Sequence, residues 1–139
     1  MVAFADIDHF KAINDAHGHE TGDRALRIFA RVVRECLRPV DLVGRYGGDE
    51  FFLVLPGCTT VEARIACERI RSRLAEALAH ADVPPFTVTI GMASVLPGEP
   101  FSEAVGRADA AMLHAKALGR DRVYGPDRIT ADDDEPLSA

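Results

Sequence analysis

Lysine is nearly absent from this 139-residue sequence: Lys11 and Lys116 stand against fourteen arginines. A lysine is a compact, mobile point charge, so these two exceptions are candidates for phosphate contacts. Cysteine is also scarce. Cys36, Cys58 and Cys67 are odd in number and form no C-x-x-C pair, which excludes a disulfide framework or zinc site and suits a reducing cytosol. A positive excess is lacking too: the net charge is −6, so bulk nucleic-acid binding is not expected. No apolar run approaches the roughly 20 residues of a membrane span, and no signal-peptide pattern opens the chain. A cytoplasmic domain without membrane contact is the expectation. What is present, 47% hydrophobic and 27% charged residues, describes one ordinary globular domain with a real core.

Val2–Ile7 predicts a strand, and His9–His17 a short helix ending near Gly18. Thr21 is placed to N-cap the next helix, which runs to Arg38 with Leu26, Phe29, Ala30, Val33 and Leu37 on one stripe. Arg27, Arg31, Arg34 and Arg38 follow on a neighbouring stripe that reads as a solvated face. Strands at Leu42–Tyr46 and Phe51–Leu55 flank a turn. A helix over Thr60–Ala81 follows, closed by Pro84-Pro85, and Phe86–Val95 alternates as a strand with one buried face. Ser102 is placed to cap a helix that reaches Leu118 and stops at Gly119; Arg122–Tyr124 suits a short final strand. The order β-α-α-β-β-α-β-α-β predicts an α+β fold, an antiparallel or mixed central sheet flanked by helices in the ferredoxin-like manner. Asp132–Glu135 with Pro136 reads as a disordered acidic tail, so the domain is expected over 1–125 and the tail over 126–139.

The turn carries the densest chemistry: Arg45-Tyr46-Gly47-Gly48-Asp49-Glu50-Phe51 sets two carboxylates at the tip. Its glycines are expected to supply positive φ, and a plain hairpin would use the same residues. Asp6-Ile7-Asp8 closes the first strand, where residues two apart share a face and like charges call for a cation. Asp8 equally suits a cap for the following helix. Carboxylates at a strand end and a hairpin tip are how proteins hold magnesium on a nucleotide. Lys11 follows within a turn of helix, and Lys116 and Arg120 straddle a helix C-terminus, where the helix dipole alone also favours them.

These residues resemble the GGDEF domain, the catalytic domain of diguanylate cyclases. Gly47-Gly48-Asp49-Glu50-Phe51 matches its signature. Asp6 through Asp15 with Gly18-His19 and Gly22-Asp23 is similar to its first block, Gly91-Met92-Ala93 fits after the fourth strand, and Ala115-Lys116 with Gly119-Arg120 is similar to its last block. The likeness spans roughly residues 2 to 124. It implies a fold akin to nucleotidyl cyclase cores, and condensation of two GTP to cyclic di-GMP with release of two pyrophosphates. The implied cofactor is Mg2+ or Mn2+, held by Asp6, the Ile7 carbonyl and Asp49, with Asp49 and Glu50 as catalytic carboxylates. His9 and Phe10 amides with Lys11, Lys116 and Arg120 would hold phosphates, Asn14 and Asp23 would read guanine, and Gly47 and Gly48 would let the nucleotide approach.

Arg38-Pro39-Val40-Asp41 has the spacing of the family's product-inhibition site, with Arg69 as a secondary contributor. A surface ion pair is the plainer reading of Arg38 and Asp41. The implied partners are GTP, cyclic di-GMP, a second copy of the domain, and an upstream sensory or dimerisation domain in a full-length bacterial protein. The family's N-terminal helix and Asp-x-Leu-Thr-x-Leu-x-Asn-Arg segment have no counterpart here, so an N-terminally truncated domain is expected. A catalytically weak or inactive module that binds cyclic di-GMP or GTP is the alternative. Leu113 stands where tyrosine is common, and Asp121 where asparagine is common.

Overall fold

A computed structural model describes residues 1–126. Its elements are β1 (Val2–Ile7), α1 (Phe10–His17), α2 (His19–Cys36), β2 (Leu42–Arg45), β3 (Glu50–Val54), α3 (Thr60–Leu78), β4 (Val88–Ala93), α4 (Phe101–Ala117) and β5 (Val123–Tyr124). The order is the one the periodicities predict. The expected tail, apart from Pro126, lies outside the described residues.

The sheet runs β2-β3-β1-β4-β5, with β5 parallel to β4 and every other pair antiparallel. The first four strands have the ferredoxin-like order, and β5 makes the sheet mixed. β1 and β4 are buried along all six residues, because helices cover both faces. On one face Ala3, Ala5 and Ile7 share a core with Phe29 of α2 and Ile70 and Leu74 of α3. Phe29 meets Phe51 edge to face, with centroids 5.0 Å apart, a pairing worth about 0.5–1.5 kcal/mol beyond its buried area. On the other face Val2 and Phe4 pack with Ala104, Ala108 and Met112 of α4. Those small helical residues bring α4 down onto Gly91, where an added Cβ would sit 2.1 Å from the Met112 nitrogen.

Several local expectations shift. α2 starts at His19, so Thr21 lies inside the first turn; it is buried and accepts from Arg24 Nη2 at 3.2 Å instead of capping. α4 starts one residue before Ser102, with Pro100 at the N-cap and no side-chain cap; proline's fixed φ starts that helix without one. α3 stops at Leu78, short of Ala81, and its N-terminus carries the true capping box, between Thr59 and Glu62. Among the described residues no helix is long and apolar enough to cross a membrane.

Candidate functional site

The central position of β1 brings its C-terminal end against the β2–β3 tip on one side and β4 on the other. Asp6 pairs in register with Glu50 and with Thr89, and Ile7 N–H donates to the Asp49 carbonyl at 3.2 Å. The tip is held by Tyr46 N–H donating to the Glu50 carbonyl at 2.8 Å. Arg45 clamps it from outside, Nη2 to the Gly48 carbonyl at 2.7 Å and Nε to the Gly47 carbonyl at 3.2 Å. The expected positive φ at Gly47 and Gly48 is not found: the glycines that adopt it are Gly18, Gly57, Gly98 and Gly119. Open space distinguishes the hairpin pair instead. A Cβ on Gly48 meets nothing within 4 Å, and one on Gly47 meets only the Glu50 side chain, 3.3 Å away at its nearest.

Asp6 is buried on the α4 face, with its Oδ2 taking a hydrogen bond from Lys116 Nζ. Its Oδ1 is buried without a partner. Burial pushes the Asp6 carboxyl up to about 7, and the nearby Asp49 carboxylate adds to the rise while Lys116 opposes it. A buried carboxylate oxygen without a partner, with a second carboxylate nearby, fits a cation. Among the described residues no cluster of three or more His, Cys, Asp or Glu is arranged to hold a metal unaided, so ligands from a phosphate would complete the shell.

Asp8 neither shares this site nor caps α1, which has no side-chain cap. At Asp8 the backbone N–H still donates to the Thr87 carbonyl, at 2.9 Å, and the chain turns only at His9, left-handed at φ 56. The buried Asp8 carboxylate accepts from Thr89 Oγ1 at 2.6 Å, Thr87 Oγ1 at 2.7 Å and Asp121 N–H at 3.1 Å. The uncapped start of α1 leaves first-turn N–H groups at His9, Phe10 and Lys11 without intrahelical partners, and Lys11 is exposed beside them. Asn14 sits against α2, its Oδ1 1.8 Å from where a Gly22 Cβ would stand, next to the exposed Asp23. Lys116 lies in the last turn of α4, and Arg120 follows in a left-handed turn with its side chain exposed.

Arg38 and Asp41 form a separate group, at the opposite end of the β2–β3 hairpin. Asp41 accepts from Arg38 Nη2 at 2.7 Å and from the Arg38 N–H at 2.8 Å, and Arg38 Nη2 also donates to the Pro56 carbonyl at 2.7 Å. Arg38 holds the Asp41 carboxyl below the usual range, and the Asp41 side chain is only 3% exposed. Arg69 donates to the Cys36 carbonyl at 3.1 Å and lines a cleft of about 410 Å³ with Arg38 and Arg73. Sequence reasoning passed over Arg73; its signal was the one-turn spacing from Arg69.

The family model described as diguanylate cyclase, GGDEF domain, matches residues 1–122. The chain is 40% identical over 125 residues to the diguanylate cyclase DgcP of Pseudomonas aeruginosa, covering 88% of this chain and 19% of that protein. It is 42% identical over 118 residues to the diguanylate cyclase DgcM of Escherichia coli, covering 85% of this chain and 28% of that one. The chain therefore spans well under a third of either relative. Among solved structures, the GGDEF domain of DgcB from Caulobacter crescentus in complex with c-di-GMP superposes with a TM-score of 0.83 at 36% identity, over 89% of this chain and 75% of that chain.

Proposed function

This chain belongs to the GGDEF domain family of diguanylate cyclases, and on that footing we propose that it condenses two GTP into cyclic di-GMP. In each half-reaction the 3′-hydroxyl oxygen of one GTP bonds to the α-phosphorus of the other. The bond from that phosphorus to the bridging oxygen breaks, pyrophosphate leaves, and the hydroxyl proton passes to a hairpin carboxylate, Asp49 or Glu50. One GTP per domain requires two copies face to face. GTP as substrate assigns the work to the bacterial cytoplasm.

The observation that carries this reading is the buried Asp6 carboxylate, whose Oδ1 has no partner, with Lys116 on its Oδ2 and the Asp49 carboxylate nearby. Asp6, the Ile7 carbonyl and Asp49 would hold Mg2+. When bound, the ion offsets phosphate charge and lowers the pKa of the attacking hydroxyl. Lys11, Lys116, Arg120 and the α1 amides would grip the β- and γ-phosphates. Asn14 and Asp23 would read guanine, because a carboxylate accepts from its N1–H and 2-amino group and adenine offers no such pair. The open backbone at Gly47 and Gly48 would admit the nucleotide. Arg38 and Asp41, with Arg69 and Arg73 on the same cleft, would bind product as a brake.

The test is an assay for cyclic di-GMP after incubation with GTP and Mg2+. Product should form at a rate that rises more than linearly with protein concentration, and Asp49→Ala should form none. Product made by Asp49→Ala at the parent rate, or no product from the parent at high concentration, would overturn the proposal.

A further inference from the structure

The turn after α4 is held in an uncommon conformation. Gly119, Arg120 and Asp121 follow one another at φ 117, 63 and 46. For a residue with a Cβ this left-handed region costs on the order of 1 kcal/mol, and two in succession persist only when the surroundings hold them. Two groups do so from opposite sides. From inside, buried Asp8 takes the Asp121 N–H at 3.1 Å while its two oxygens are anchored by Thr89 on β4 and by Thr87 just before it. From outside, Arg71 of α3 donates through Nη2 to the Asp121 carbonyl at 2.5 Å and to its Oδ1 at 2.6 Å. Arg71 is itself braced, with Nη1 donating to Glu68 at 2.5 Å.

Arg120 itself gives the fold little in return. Arg120 is exposed, its N–H donates to the Ala115 carbonyl at 3.1 Å, and its carbonyl accepts from Arg122 Nε at 2.9 Å. The conformation does fix one thing, the direction in which the Arg120 side chain leaves the backbone. That side chain starts four residues after Lys116, whose ammonium reaches Asp6, and Asp6 lies two residues from Asp8. One end of β1 thus supplies a carboxylate to the proposed metal site and a second carboxylate to the turn behind it.

We propose that Asp8 and Arg71 are positioning residues, which lock the Arg120–Asp121 turn so that the Arg120 guanidinium meets the terminal phosphates of GTP. The proposal rests on the reading of Arg120 as a phosphate ligand. Neither residue touches the nucleotide. Asp8 is the inner latch and Arg71 the outer one. A guanidinium already aimed loses less freedom on binding than one on a loose turn, so the latches strengthen binding at the β- and γ-phosphates and nowhere else.

Binding of the α,β-methylene analogue of GTP, which resists condensation, is measured by calorimetry beside binding of GMP, which lacks the β- and γ-phosphates. Arg71→Ala, a change at a partly exposed side chain, should weaken the analogue about tenfold and leave GMP unchanged; Arg71→Lys, which cannot fork between Asp121 and Glu68, should recover little. Asp8→Asn should act in the same direction. In an Arg120→Ala background, Arg71→Ala should add no further loss. Equal weakening of GMP and the analogue, or a full further loss in that background, would overturn the proposal by making Arg71 a general structural residue. Arg120→Ala weakening the analogue while Arg71→Ala and Asp8→Asn do not would overturn it and leave the phosphate reading standing. No effect from Arg120→Ala would remove both.

Discussion

Replacing Gly91 with alanine tests whether the packing of α4 sets the site. Gly91 lies in β4 opposite Phe4 of β1, directly beneath α4. An alanine Cβ would stand 2.1 Å from the Met112 nitrogen and 2.3 Å from the Ala108 carbonyl oxygen. Both are backbone atoms, so no rotamer change relieves the clash and the helix has to lift by about 1 Å. Overpacking costs roughly 1–3 kcal/mol where neighbours can adjust, and a rigid helix puts this site at the upper end. For a domain of this size that corresponds to a melting temperature lower by about 10 °C. The lift also carries Lys116 away from Asp6, so affinity for the GTP analogue should fall with stability. Gly48→Ala is the contrast, because its Cβ meets nothing within 4 Å: its melting temperature should match the parent while cyclic di-GMP formation is lost. Calorimetric melting of both variants, with the product assay, gives the answer. A Gly91→Ala protein melting within about 2 °C of the parent would refute the reasoning.

The remaining predictions are smaller in scope. Thr59→Ala breaks the reciprocal bonds with Glu62 at the start of α3; it should cost about 1 kcal/mol in denaturant unfolding and leave GTP-analogue affinity alone. Gly22→Ala would press on Asn14 Oδ1, 1.8 Å from the new Cβ, so discrimination between GTP and ATP analogues should shrink, as competition binding would show. Asp6 is raised from 3.8 to about 7, so the folded chain holds its proton more tightly than the unfolded one, and metal-free stability should fall as pH rises from 4 to 7. Mg2+ needs the ionised form, so its affinity should climb through about pH 7 and level off above it; a flat calorimetric profile from pH 6 to 8 would contradict this.

Element order was legible because strand and helix periods are local: the α2 stripe through Leu26, Phe29 and Val33 and the apolar run of β1 needed no tertiary knowledge. The metal and phosphate candidates were legible as residue types at fixed spacings. What escaped was set by contacts distant in sequence. Gly47 and Gly48 are the shape of a conformational device, yet neither has positive φ and the space beside them is open, which only the folded hairpin discloses. Asp8 read as a second metal carboxylate or a helix cap, yet its partners lie 79 to 113 residues away. Nothing near Arg71 in sequence marks its bonds to Asp121, fifty residues away. Gly119 marks a turn in the sequence, but the left-handed Arg120 beside it carries no signal of its own, because tertiary hydrogen bonds to Asp121 hold the turn.

The central place of β1 has a consequence for biogenesis. Its six residues pair with β3 and with β4, which ends at Ala93. During synthesis at about 5–20 residues per second, this strand waits on the order of ten seconds for its second neighbour. Through that interval Val2, Phe4 and Ile7 present an apolar ribbon with unpaired amides, the kind of surface that recruits other nascent chains. Of the five strands β1 waits longest for its second neighbour, so yield in a cell should depend on translation speed and chaperone supply more than the finished domain's stability suggests.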